Sequence, residues 1–413
     1  MIETVFFFIA GLIIFLGFFS MRFFEKTKIP DVLILMFAGL AITHALQIVD
    51  SKVFVDLAPY VGALALMIML FEGGINLKFS RVIKELPLAT GYTVAVFVLT
   101  CLMMMFLMMA FFGWKPLNAL LLGAVIGGTS SAIVIALVEK MNVDECYKII
   151  LTLESTLTDA LCIITAITVV GVVDSGQPDF QALANSFFSA FSIASVVAFA
   201  FGIIWIKVLT GFHKMPFGYL LTVAVLFLLY SIVEYSGGNG AIAAFIFGLI
   251  LGNSTEIARF LRIDGNFVLD STIKTFHEEV SFFVRTFFFV YLGLIFSMSS
   301  LHGETILMAI AALLVLIIAR LIPTVFLARQ NTGNGGFGIL MSTMMPRGLA
   351  AAVLATNPMV MQVEGRRFTD VVILIIVFTN IIATVGAFFY ERKRMEKAAK
   401  KDYETVKAVE KAV

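Results

Sequence analysis

The sequence predicts an all-α polytopic membrane protein of about thirteen transmembrane helices. They form two inverted-topology repeats with discontinuous crossing helices at the midplane. Three observations predict this. Of 413 residues, 60% are hydrophobic and 14% charged, with a mean hydropathy of +1.02, whereas charged residues make up about 25% of a soluble domain. The apolar residues gather into runs mostly long enough to cross a hydrocarbon core of roughly 30 Å at 1.5 Å per residue. Two runs are broken at their centres by Gly or Pro among polar residues, the pattern of membrane helices that unwind midway.

The runs are, in order, 4–21, 32–49, 57–77, 87–112, 117–139, 147–173, 182–210, 217–234, 240–252, 280–297, 305–327, 336–356 and 369–390. The ninth is short and follows Gly237-Gly238-Asn239, so it is the weakest. From Glu391 the composition turns charged. Residues 1–390 therefore make a membrane domain and 391–413 a charged tail. Thirteen crossings place the Lys and Arg of loops 22–28, 78–84, 140–148, 207–214, 259–274 and 329, and of the tail, on one side. Only Lys52, Lys115, Arg366 and Arg367 fall on the other. The positive-inside rule then puts the N-terminus outside and the C-terminus in the cytoplasm of a cell membrane. Arg392, Lys393, Arg394 and the tail lysines face anionic lipid headgroups there.

Several function classes drop out. A net charge of +1, with most charges placed in loops, forms no basic face for nucleic acid. Cys101, Cys146 and Cys162 are odd in number and lack metal-ligand spacing, so no disulfide framework or zinc site follows. The N-terminus has neither a basic n-region nor a small-residue cleavage site, and the first run reads as a retained span.

The breaks are Gly127-Gly128-Thr129-Ser130-Ser131 in the fifth run and Met345-Pro346-Arg347-Gly348 in the twelfth. Proline removes a donor and clashes with the preceding turn, and paired glycines relax a helix, so both segments free backbone groups at membrane depth. Their separation of about 217 residues, repeated between Phe71-Glu72-Gly73-Gly74 and Tyr291-Leu292-Gly293-Leu294, relates two halves of opposite topology. Broken helices at corresponding places in such halves point to a transporter's midplane site.

The sixth run carries Leu153-Glu154-Ser155-Thr156-Leu157-Thr158-Asp159-Ala160 in apolar surroundings. A carboxylate at that depth costs from about 2.5 to over 10 kcal/mol and is seldom kept without a task. At ~100° per residue, Ser155 and Asp159 lie about 40° apart, whereas Glu154 and Asp159 point about 140° apart. One acid therefore faces a cavity, and the other faces a protein cation. Asp159 is the expected cation and proton ligand, with Thr158 and Ser155 supplying oxygens or orienting it. The broken fifth run adds the Thr129 carbonyl and the Ser130 hydroxyl, so Asp159, Ser155 and Thr129 would hold Na+ or K+. The competing reading makes this a helix-packing cluster in which Ser and Thr bond their own helix. Glu154 is expected to pair with Arg347, since a mid-membrane guanidinium needs a buried acid. Otherwise Arg347 faces the cavity and repels cations. Glu72 either extends the ion path or is a solvated helix-end acid.

These residues resemble the monovalent cation/proton antiporters, in particular archaeal and bacterial sodium/proton exchangers of the electroneutral branch. The carriers are the fifth-run Gly-Gly-Thr-Ser-Ser, Glu154-Ser155 with Thr158-Asp159, and Pro346-Arg347-Gly348. The resemblance extends to Tyr390. Thr158 departs from the Asn or Asp usual before the key aspartate and is similar to potassium-efflux relatives, and Ser130 stands where Asp is common.

The resemblance implies the Glu154–Arg347 pairing and a homodimer. The core is expected to comprise spans 3–6 and 10–13, the rest forming a dimer-side scaffold. The expected function is exchange of Na+, K+ or Li+ for H+ by alternating access, with no enzyme chemistry and no cofactor beyond the transported ions. A K+/H+ exchanger, a gated cation channel and an anion carrier are the alternatives. Of the remaining charges, Arg285 and Arg320 are expected to snorkel or line the scaffold and Glu234 to lie at the outer interface. His277, Glu278 and Glu279 open the tenth span from the cytoplasm, where they could sense pH.

Overall fold

The computed structural model describes residues 2–27, 31–46, 51–76, 79–141, 143, 145–175, 180–211, 218–260, 271–295, 302–330, 337–356 and 366–412. Every regular element among them is a helix. In order these are α1 (Ile2–Thr27), α2 (Asp31–Leu46), α3 (Ser51–Asn76), α4 (Phe79–Phe112), α5 (Pro116–Ile126), α6 (Ser131–Lys140), α7 (Glu145–Ser175), α8 (Phe180–Gly211), α9 (Gly218–Tyr235), α10 (Gly240–Gly252), α11 (Ser254–Phe260), α12 (Ser271–Ile295), α13 (Gly303–Gln330), α14 (Phe337–Thr343), α15 (Leu349–Thr356) and α16 (Arg366–Ala412). Joining α5 to α6 and α14 to α15, and setting aside the short α11, recovers the expected spans one for one. Five of the helices are long and apolar enough to cross a membrane on length and composition alone. The lipid-facing surface is apolar: Phe7, Phe15, Phe106, Phe111 and Phe326 are each exposed. That is how a chain behaves when its solvent is hydrocarbon.

The weak ninth span stands as α10, and its start is capped by two side chains. Asn239 Oδ1 accepts the Ile242 N–H at 3.0 Å, and Glu234 Oε1 accepts the Gly240 N–H at 2.7 Å. Its glycines do the rest. A Cβ on Gly248 or Gly252 would collide with the carbonyl of Phe71 or Ile75, and one on Gly74 with that of Phe245, so α10 and α3 meet backbone to backbone. Lipid tails offer no hydrophobic drive for helix association, and small residues supply close packing instead. The same device joins α2 to α12 through Gly39 and Gly293, with Arg285 reaching Asp31 at 3.6 Å across the same pair. Spans three and ten, expected in the core, thus have their closest partners in spans nine and two.

Several helices extend beyond the expected bounds; α12, for one, begins at Ser271 and not at 280. Helix α4 begins at Phe79, so Pro87 lies inside it. The thirteenth span and the charged tail form one helix, α16.

Candidate functional site: the crossing of two broken helices

Both expected breaks are present, and they meet. Between α5 and α6 the chain leaves helical geometry at Gly127–Ser130, and between α14 and α15 at Met344–Gly348. The Ser130 N–H donates to the Pro346 carbonyl at 2.7 Å, which ties the two breaks directly. The glycines set the spacing: a Cβ on Gly128 would stand 2.6 Å from Cys162 Sγ, and one on Gly348 would run into Ser130. Helix α16 holds the second break, since the Arg347 N–H donates to Thr379 Oγ1 at 3.0 Å and Asn380 Nδ2 donates to the Arg347 carbonyl at 2.8 Å.

A broken helix exposes a partly positive N-terminus and a partly negative C-terminus. Each is met by the opposite charge here. At the start of α6, Ser130 makes no side-chain cap, and the Asp159 carboxylate takes that place. The Ser131 hydroxyl donates to Asp159 Oδ2 at 2.7 Å, and the Ser131 backbone also bonds the carboxylate. Near the end of α14, the Arg320 Nε donates to the Met341 carbonyl at 2.5 Å. The carboxylate borders a small cleft lined by Leu66 and Leu70 of α3, Ser130, Ser131 and Ala350.

Glu154 faces away from that cleft, as the helix geometry requires, and it is fully buried. Its partner corrects the expectation. Arg320, not Arg347, forms the ion pair: Nη1 and Nη2 donate to Oε1 and Oε2, each at 2.9 Å, in a bidentate fork. The guanidinium stacks over the Tyr92 ring at 5.7 Å, and Tyr92 in turn hydrogen-bonds Thr324 at 2.9 Å. Arg320 therefore neither snorkels nor lines a scaffold; it is 1% exposed at the centre of a network joining α4, α7, α13 and α14. Arg347 is equally buried, yet its Nε and Nη1 have no hydrogen-bond partner. It stands within electrostatic range of Arg320, Glu154 and Asp159.

The other expected ligands divide. Ser130 borders the cleft with Asp159. The Thr129 N–H donates to Thr158 Oγ1 at 3.1 Å and its hydroxyl to Glu154 Oε1 at 3.1 Å. The Thr158 hydroxyl donates to the Ser155 carbonyl at 3.1 Å, and the Ser155 hydroxyl donates to the Thr152 carbonyl at 3.0 Å. Thr158 and Thr129 therefore stitch the first break to α7, and neither Thr158 nor Ser155 donates to Asp159. Glu72 is half-buried, accepts a hydrogen bond from Ser281 on α12, and is not among the residues lining the Asp159 cleft. Ser131, Arg320, Tyr92 and Asn380 add to the residues expected at the site from the sequence. Arg320 had a usable signal, a lone charge within an apolar run, and Ser131 had another, a hydroxyl at the first position of a restarted helix.

This arrangement presents one carboxylate beside the Ser130 and Ser131 hydroxyls, a set that suits a hard monovalent cation or a proton. The chain is 27% identical over 363 residues to Na(+)/H(+) antiporter 1 of Methanocaldococcus jannaschii, covering 84% of this chain and 82% of that one. It is 28% identical over 296 residues to the low-affinity Na(+)/H(+) antiporter NhaS1 of Synechocystis, and spans about half of that protein's length, with 54% covered. The K(+)/H(+) antiporter NhaP of Alkalimonas amylolytica is 23% identical over 79% of this chain and 56% of its own. The solved structure of the sodium proton antiporter MjNhaP1 from M. jannaschii superposes with a TM-score of 0.75 at 22% identity, covering 95% of this chain and 98% of that one, and so has the same fold. The family described as "Sodium/hydrogen exchanger, transmembrane" matches residues 11–392, and the chain belongs to that family.

Proposed function

We propose that this multi-pass membrane protein exchanges Na+ for H+ one for one, by alternating access around Asp159. The observation that carries the reading is the unequal treatment of two buried acids. Glu154 has both oxygens committed to Arg320, and Asp159 keeps a face on the cleft. One carboxylate then binds either a cation or a proton, with the Ser131 and Ser130 hydroxyls and backbone oxygens of the first break completing the shell. The loaded site carries the same net charge in both directions.

Competition for one group shapes the pH response. At low pH the proton excludes the cation, and at high pH the return leg lacks protons, so activity is bell-shaped. The moving unit is drawn around α4–α7 and α13–α16, with the glycine-packed α3 and α12 as its boundary with the frame. The protein works as a homodimer in the cell membrane, with its N-terminus outside and its tail in the cytoplasm.

The test is uptake of labelled Na+ into proteoliposomes with and without an imposed pH gradient, repeated with Asp159→Asn. Gradient-driven uptake in the parent and none in the variant is expected. Uptake that ignores the pH gradient would indicate a channel, and proton-coupled uptake retained in the variant would move the site elsewhere. The uncharged Thr158 and the K(+)/H(+) relative make K+ the competitor to include: a K+ preference in the same vesicles would reassign the cation but leave the mechanism.

A further inference from the structure

We propose that the groove between α14 and α16 binds one anionic phospholipid of a single leaflet. Ile339 and Thr343 form one wall, and Ile381, Val385 and Phe389 form the other at four-residue spacing, with Gly386 between them. The groove holds about 540 Å³, within the roughly 300–1,000 Å³ of small-ligand sites. Gly386 lets the helices approach, since a Cβ there would collide with Thr343. Ile381, Val385 and Phe389 are each about half exposed, at 45%, 47% and 52%, so the recess opens to the bilayer.

Charge and length choose the occupant. Arg392 and Lys393, both exposed, close one end of the groove. From Ile381 to Arg392 helix α16 rises roughly 16 Å at 1.5 Å per residue, about half of the roughly 30 Å core. A single acyl chain reaching from headgroup depth to the midplane fills that distance, and its phosphate meets the two cations. The deep end adjoins the second break: Ile381 follows Asn380, whose amide holds the Arg347 carbonyl, and Thr343 is the last residue of α14. A bound chain thus touches both walls of the break and braces it.

The experiment uses the full chain in detergent micelles, titrated with phosphatidylglycerol, phosphatidylcholine or inorganic phosphate and followed by native mass spectrometry and thermal melting. Two interfacial cations should favour phosphatidylglycerol over phosphatidylcholine by roughly 30-fold. Arg392→Gln with Lys393→Gln should abolish the preference, and Val385→Trp should displace both lipids. Phosphatidylglycerol with a photoreactive acyl chain should label peptides of α14 and α16 in the unaltered protein. The proposal is overturned if inorganic phosphate alone reproduces the stabilisation, if the preference survives the double substitution, or if the label falls on other helices. Dissociation of an oligomer by Val385→Trp would make a second copy of the chain the occupant and overturn it as well.

Discussion

Glu154 and Asp159 lie five residues apart on one helix, both buried, at 0% and 7% exposure. Glu154 is gripped by both nitrogens of a stacked guanidinium and by the Thr129 hydroxyl. Asp159 is held by a single residue at the start of a restarted helix and borders a cleft. The difference sets apart, on one helix, a carboxylate paired with a buried cation and a carboxylate that keeps a face on a cleft. A carboxylate whose charge is already neutralised by a bidentate guanidinium attracts a second cation weakly, whereas one held only by neutral donors on one side can take a cation or proton on the other. The angle between positions 154 and 159 separates the two environments, and the breaks supply them.

The largest expected effect comes from breaking the exchangeable side. Asp159→Asn should reduce proton-coupled Na+ flux at least a hundredfold while the protein still folds, because the amide is nearly isosteric but cannot carry a proton or compensate a cation. Vesicle flux together with size-exclusion behaviour reports this. Breaking the structural side should act on stability instead. Glu154→Gln or Arg320→Gln leaves a buried charge uncompensated and should cost about 3–5 kcal/mol, seen in thermal melts. Joint replacement should recover part of the loss. Arg320→Lys should rescue poorly, since an ammonium cannot reproduce the fork.

Smaller effects sharpen the comparison. Ser131→Ala removes the hydroxyl held on Asp159 and should raise the apparent KM for Na+ about fivefold with little change in melting temperature. A large loss of stability with unchanged KM would make Ser131 a structural cap. Arg347→Gln should destabilise less than Arg320→Gln, because two of its side-chain donors have no partner to lose. Removing its positive charge should tighten apparent Na+ binding a few-fold. Equal melting losses for the two arginine variants would restore the pairing expected from the sequence.

Much of the fold is legible in the sequence because a bilayer leaves few alternatives. Apolar runs must be helices, and Gly127-Gly128 and Met345-Pro346 mark where they cannot continue. The direction in which Glu154 points is equally legible, being a local angle. Its partner is not: Arg320 and Arg347 are both lone cations in apolar runs, and only the tertiary arrangement brings position 320 to position 154. Ser155 is legible only in part. Sharing a helix face with Asp159 fixes its direction but not its bond, and its hydroxyl returns to the Thr152 carbonyl, an option every serine in a helix has. The hydroxyl that reaches Asp159 comes from another helix.

In the proposed cycle one carboxylate, Asp159, travels with either cation or proton while Glu154 stays neutralised by Arg320. A complete cycle then moves no net charge. A membrane potential, worth about 2.3 kcal/mol per elementary charge per 100 mV, has nothing to act on. The direct test is the reversal point of Na+/H+ exchange in proteoliposomes whose potential is clamped at several values while the pH and Na+ gradients stay fixed. A reversal point that does not move with potential is expected. A reversal point that shifts with potential would mean that a second charge crosses with each cycle, with Glu154 or Glu72 as the first candidates to carry it.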